Sequence, residues 1–323
     1  NDTVIVTGTA KSIATTASEL GISSAQANAL SGASTAVRSG DAAALAALTT
    51  ALNTGGAVAI RAAETLALQA DALGAGAAVA VSTGGSVIGV ASNRLASLRS
   101  GPQHAYAGQT GFATGGSAMS KAVWLKPFGN RAKQDTRKGF AGFDADTIGF
   151  SAGVDAEVTE GVRLGGSFAS STTDVTGKGA GGTTSEIESH QFTVYGGVTA
   201  DKYYVEGMVG YAKNNSDASR TIDLGSLTRT AKADYDSNQY MLSVGGGMPI
   251  RVKGGSVFTP TAGLSYTHLS TDSYTETGAS NLNLVVSSDN IAATVASLGA
   301  KFHTSIKEGR GTLTPSVRGG ISY

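Results

Sequence analysis

The sequence predicts an all-β transmembrane antiparallel barrel with an N-terminal α-helical region. Three observations carry this. From residue 121 onward, apolar and polar residues alternate in segments of about ten residues, as the two faces of a strand require. Nine such segments follow one another. The spacers between them alternate between short turns and long polar loops, the asymmetry of an outer-membrane barrel.

Composition limits the rest. The 323 residues suffice for one large domain and a smaller one. The 24 basic and 24 acidic residues cancel, which argues against nucleic acid as a partner. Charged residues make up 15% of the chain, against roughly 25% in an ordinary soluble domain. There is no cysteine, so disulfides and thiolate metal sites are excluded. His104, His190, His268 and His303 show no metal-ligand spacing, and no cofactor is expected. The chain opens at Asn1 with neither Met nor a leader, which reads as a fragment. No stretch reads as a transmembrane helix; the best, Ala42 to Ile60, is mostly Ala with Thr, Asn and Gly.

The first part of the chain, residues 1–85, is an Ala-rich helical passenger-end or spacer region. Asn1 to Gly8 is β-like. Helices follow, interrupted at Gly21, Gly32, Gly40, Gly55–Gly56, Gly74, Gly76 and Gly84–Gly85. Asp41 is a suitable N-cap for a helix over Asp41–Leu52, and Arg61 to Leu73 forms another. A last helix over residues 86–100 places Val87, Val90, Leu95 and Leu98 together. Residues 101–120, rich in Gly and Ser, read as a flexible linker.

In the barrel, residues 121–323, the clearest strand is Thr147–Val158. Ile148, Phe150, Ala152, Val154, Ala156 and Val158 share one face; Thr147, Gly149, Ser151, Gly153, Asp155 and Glu157 share the other. Val123–Asn130 precedes it, and strands around Val162–Phe168, Phe192–Val198, Tyr203–Tyr211, Tyr240–Met248, Phe258–Tyr266, Ala292–Phe302 and Leu313–Tyr323 follow. Short turns fall at Thr159–Gly161, Ala200–Lys202, Arg251–Gly255 and Lys307–Gly311; long loops are expected over Val175–Glu186, Lys213–Asp234 and Ser270–Asp289. Phe150, Tyr203, Tyr211, Phe258, Tyr266 and Phe302 mark an aromatic girdle on the apolar face. The polar face carries Lys126, Asp155, Glu157, Arg163, Glu206, Lys301 and Arg318, which a wet lumen tolerates and a lipid midplane does not. A soluble β-sandwich would also alternate, but it would pack large Ile, Leu and Phe inside rather than Gly, Ser, Thr and charges.

Two motifs invite an enzymatic reading. Gly149-Phe150-Ser151-Ala152-Gly153 matches G-x-S-x-G, but a nucleophile elbow needs a strand-to-helix turn and this segment is a strand. Gly177–Gly182 matches G-x-G-x-x-G within a loop that no helix follows. Neither supports catalysis. Helix arginines Arg94 and Arg99 are instead expected to pair with Asp155, Glu157 or Glu206 of the lumen.

At Trp124 the sequence meets a family. The run Trp124-Leu125-Lys126-Pro127-Phe128-Gly129, the stretch from Gly139 to Val158, Arg163–Val175, Tyr195-Gly196-Gly197 and Tyr203–Tyr211 resemble the opening of the autotransporter translocator domain. Asn93-Arg94-Leu95-Ala96-Ser97-Leu98-Arg99 resembles the end of its linker helix. Trp124, Pro127, Phe128 and Gly129 are the first-strand signature, and Asn93, Arg94, Leu95, Leu98 and Arg99 the pore-helix residues. The resemblance, over about residues 86–323, implies type V secretion: an outer-membrane barrel in lipid, inserted by the barrel-assembly machinery, monomeric, exporting and anchoring its own N-terminal passenger on the surface of a Gram-negative cell. It also implies twelve strands, so nine leave the barrel incomplete at its C-terminal end. Some members cleave the linker at paired asparagines; none stand here, and the passenger is expected to stay attached. The alternatives are a porin-like channel without passenger and a soluble β-rich binding protein.

Overall fold

The computed structural model describes residues 13–67, 72–99, 111–113, 121–136, 141–252, 256–304, 306–308, 311–313 and 315–323. The β-like Asn1–Gly8 and most of the expected 101–120 linker lie outside them. Four short helices come first: α1 (Ile13–Leu20), α2 (Ser24–Arg38), α3 (Ala42–Thr54) and α4 (Gly56–Leu66). Ser23 and Gln26 form a capping box that starts α2, each side chain bonding the other's backbone N–H. Asp41 caps α3, its Oδ1 accepting from Ala44 N at 3.1 Å. Gly55, at φ +66°, separates α3 from α4 in a backbone conformation that L side chains rarely adopt.

The helix expected over residues 86–100 is twice as long. It is α5, Ala72–Arg99, 28 residues. Gly74, Gly76, Gly84 and Gly85 were expected to break it, and they lie inside it. Close packing accounts for two of them: a Cβ on Gly84 would stand 2.5 Å from Gln239 Nε2, and one on Gly76 3.1 Å from the Tyr235 hydroxyl. Similarly, the helix expected over Arg61–Leu73 ends at Leu66, having started at Gly56. Residues 75–99 of α5 are long and apolar enough to cross a bilayer, which composition scanning over Ala42–Ile60 missed. Half of that stretch is buried within the fold.

Among the described residues fifteen strands follow: β1 (Gly111–Ala113), β2 (Lys121–Gln134), β3 (Phe143–Thr159), β4 (Val162–Gly177), β5 (Thr184–Thr199), β6 (Tyr204–Asp223), β7 (Thr228–Gly247), β8 (Ile250–Arg251), β9 (Ser256–Thr271), β10 (Tyr274–Thr275), β11 (Val285–Val286), β12 (Asp289–Thr304), β13 (Ile306–Glu308), β14 (Gly311–Leu313) and β15 (Ser316–Ser322). One antiparallel sheet runs β1-β2-β3-β4-β5-β6-β7-β9-β12-β15 and stays open, a half-barrel whose wall is the nine strands from β2 to β15. The small strand β8 prolongs the β7 line along β9 beyond Met248–Pro249, in unchanged register. A β13–β14 hairpin stands apart, so the ninth strand begins at Ser316 rather than Leu313.

Register sorts the two faces. Phe168, Phe192, Tyr211 and Tyr240 oppose one another in turn across β4 to β7, forming an aromatic row on the outer face. On the short-turn side of that row the outer face is apolar: Val194, Val209 and Leu242 are each more than half exposed. On the other side it turns polar at once. His190 opposes Lys213, which opposes Asn238; further out Asp146, Asp174, Glu186, Asp217 and Asp234 form one cross-strand line. Two of the three expected long loops are therefore at least half strand. The segment Lys213–Asp234 is mostly strand, because β6 and β7, each of 20 residues, continue as a hairpin that turns at Leu224–Leu227. Likewise β4 and β5 reach to Gly177 and Thr184. Beyond the aromatic row the outer face meets water, so both faces become polar and the apolar alternation disappears although the pairing continues. Ser270–Asp289 remains a loop, holding only the β10–β11 pair and a 3-10 turn over Ser280–Leu282.

The helices α1–α4 pack on the far tip of β6–β7 and on that loop. One apolar cluster joins Leu30, Val37, Leu48 and Leu66 with Ile222, Leu224 and Leu282.

Candidate functional site

Helix α5 lies against β2 through β7 and β9, on the inner face of the wall. Its N-terminal half meets the outer reaches of the strands: Ala75 and Val79 pack on Phe143, Ala145, Val175 and Ile187. Its C-terminal half reaches the short-turn end: Val90, Ala91 and Leu95 pack on Trp124, Tyr195 and Met208, with Ile88 and Phe128 beside them. The chain therefore enters the lumen from the long-hairpin side, below the helical bundle, and leaves it at Arg99 near the short turns.

Polar groups fix that end. Arg94 Nε donates to Asp155 Oδ2 at 2.8 Å, and the Asp155 side chain has no exposure. Arg163 Nη1 donates to Asp155 Oδ1 at 3.1 Å and its Nη2 to Glu157 at 3.2 Å. The hydroxyl of Tyr195 accepts from Trp124 Nε1 at 2.8 Å and donates to Asp155 at 3.3 Å. One turn on, Arg99 Nη1 donates to Glu206 at 2.7 Å, its guanidinium lying 3.7 Å from the centre of the Tyr204 ring. Ser92 Oγ donates to the other Glu206 oxygen. Two arginines and two carboxylates thus balance around Asp155, and a further pair closes at Glu206. A buried ion pair is stable only when its remaining lone pairs are also satisfied, and here hydroxyl and indole groups supply those bonds.

All seven polar residues expected on the lumen face occupy its register, and the structure brings four of them together in two places. Arg94 pairs with Asp155, which Arg163 links to Glu157; Glu206 pairs with Arg99. Lys126 stands apart, exposed, across from Ser151. Lys301 and Arg318 oppose each other on β12 and β15. Of the helix residues, Leu95 is buried, Leu98 half-buried and Asn93 exposed. In the first strand Trp124 and Phe128 face the lumen, while Pro127 and Gly129 face outward, Pro127 opposite Phe150. A proline is tolerated there because that part of β2 has only β3 as neighbour among the described residues. Gln191, Tyr195, Gln239 and Met241 fall on the polar parity of their strands, but the sequence did not mark them as the lining of the helix seat. Ser151 of the G-x-S-x-G motif sits mid-strand in β3, without the strand–turn–helix of a nucleophile elbow.

The model of the Autotransporter beta-domain family matches residues 123–323. The chain belongs to the autotransporter β-domain family. Among curated proteins it is similar to outer membrane protein A of Rickettsia conorii, 28% identical over 243 residues (72% of this chain and 12% of that protein). It is also similar to outer membrane protein B of Rickettsia typhi, 30% identical over 206 residues (59% and 12%). The chain thus spans about an eighth of these relatives. Its fold is shared by the translocator domain of the autotransporter NalP from Neisseria meningitidis: TM-score 0.51, 15% identity, 65% of this chain and 77% of that one. The beta domain of the Bordetella autotransporter Brka gives TM-score 0.51 and 19% identity, over 63% and 79%. As an autotransporter β-domain, residues 123–323 form an outer-membrane translocator of type V secretion, a family that is not enzymatic.

Proposed function

We propose that α5 is the membrane tether of an exported N-terminal passenger, held in the translocator lumen by the Arg94–Asp155 and Arg99–Glu206 pairs, and that it stays uncut. The buried Asp155 network is the observation that carries this reading. It ties three strands to one helix, which a solute channel would have no use for. Apolar side chains such as Ile148 and Val209, 75% and 59% exposed on the outer face, weigh against a soluble sandwich. Asn93 is exposed and has no second asparagine beside it, which favours retention of the passenger. Insertion falls to the barrel-assembly machinery, the working unit is a monomeric closed barrel, and no residue is assigned a catalytic role. An open strand edge cannot face hydrocarbon unpaired, so β15 and the β2 edge need partners in the membrane.

The absence of native cysteine makes the test simple. Asn130 Nδ2 lies 3.2 Å from Ser82 Oγ, linking β2 to α5. Ser82→Cys with Asn130→Cys should give an internal disulfide in outer membranes while the passenger is on the surface. A passenger displayed with no such bond forming would reject the tether.

A further inference from the structure

The outer rim of the wall carries a second set of buried contacts, which the lumen network does not explain. Arg220, near the tip of β6, is buried with 1% of its side chain exposed. It donates to both Glu276 oxygens at 2.8 Å, to the Thr65 carbonyl at the end of α4 at 2.8 Å, and to Leu282 O at 3.3 Å. Glu276 in turn accepts from Leu284 N at 2.8 Å. One guanidinium therefore joins the β6–β7 hairpin, the Ser270–Asp289 loop and the helical bundle. Thr65 Oγ1 also accepts from Asp223 N at 3.0 Å. Arg229 on β7 pairs with the α3 cap Asp41, its Nη2 bonding Oδ1 at 2.9 Å, and reaches Ala279 O at 3.1 Å.

The bundle needs these contacts. Five of its nine residues in the shared core (Ala44, Ala47, Ala51, Ala62, Ala63) are alanines, so its own helices bury little apolar surface. A unit of this size rarely stands on its own core, and here the missing apolar partners are Ile222, Leu224 and Leu282 of the rim. Each polar clamp also needs both sides in place, since a lone buried guanidinium or carboxylate is costly.

We infer that the rim formed by the β6–β7 tip and the Ser270–Asp289 loop is a docking platform on which the α1–α4 segment completes its folding, holding that segment at the outer mouth once it has crossed. The inference rests on the translocator reading, because it takes the long-hairpin end as the cell exterior.

Asn281 Nδ2 lies 3.3 Å from Ser39 Oγ, bridging platform and bundle. In the full chain displayed on cells, Ser39→Cys with Asn281→Cys should cross-link with a membrane-impermeant bismaleimide. Adding Arg220→Met with Glu276→Gln should cut the yield at least tenfold, with heat-modifiable gel mobility of the barrel unchanged. Leu30→Asp, which alters the bundle and no strand, should do the same and serves if the double variant fails to assemble. Undiminished cross-linking in Leu30→Asp or in an assembled double variant overturns the platform. A parent chain that is heat-modifiable and surface-labelled yet never cross-links overturns it and spares the translocator; a parent that is neither takes both down.

Discussion

Asp155 sits between two arginines and a tyrosine with its side chain out of contact with water. Removing one partner of such a group leaves an uncompensated charge, at a cost of about 3–5 kcal/mol. Arg94→Glu adds a second carboxylate and should release the helix from its seat. In the closed barrel in a planar bilayer, single-channel conductance should rise above the parent's, whereas Arg94→Lys should stay near it. Equal conductance in parent and Arg94→Glu would remove the pairing from the sealing of the pore. Alternation alone made these partners legible, since Asp155, Glu157, Arg163 and Glu206 all fall on the polar parity of their strands. Tyr195 and Met208 fall on that parity too, but Trp124 and Phe128 were not legible as lumen residues, nor any of the four as a helix contact, for a physical reason. The rule that apolar faces lipid and polar faces lumen assumes a wet interior, and α5 turns one stripe of that interior into a dry contact.

Among the elements, α5 shows why glycine punctuation misleads. Glycine in a helix interior costs about 1 kcal/mol relative to alanine, so four of them argue for breaks. Gly84 is there because the helix touches the wall at that point, with Met241 Sδ 2.7 Å from an added Cβ. Gly85 faces open space. The two neighbours should therefore respond oppositely. Gly84→Leu should destabilise the seated helix by about 1–3 kcal/mol through overpacking, and Gly85→Ala should stabilise it by up to about 1 kcal/mol. Thermal loss of heat-modifiable mobility measures both, and a matched fall would show that Gly85 is also in contact. The hairpins were misread for the converse reason. From Ala212 to Asp223 the inward residues stay buried (Asn214, Ser216, Ala218, Arg220) while Lys213, Asn215 and Asp217 face water, so hydropathy no longer alternates even though the strand does.

At the scale of the molecule, the helical bundle and the wall are joined by ion pairs, and acid should loosen the one at Asp41. Arg229, bonded to Asp41, holds that carboxyl below its ordinary value, against the opposing effect of burial. A carboxylate lowered on folding contributes stability in full above its unfolded value, about 3.9, and loses it as pH falls through the lowered folded value. Pepsin should therefore begin to cut the α1–α4 segment in a displayed chain only below about pH 4, before the barrel loses its compact gel mobility. Cleavage already at pH 5 would mean that Asp41 is not held by Arg229.

The β6–β7 hairpin sets a height. Past Tyr211 it runs a dozen residues, at about 3.3 Å each along the strand. With a strand tilt of about 40°, its tip stands roughly 30 Å above the aromatic row. Anything carried N-terminal to the helical bundle therefore starts its reach well clear of the lipid headgroups, at a distance that a shorter rim would not give it.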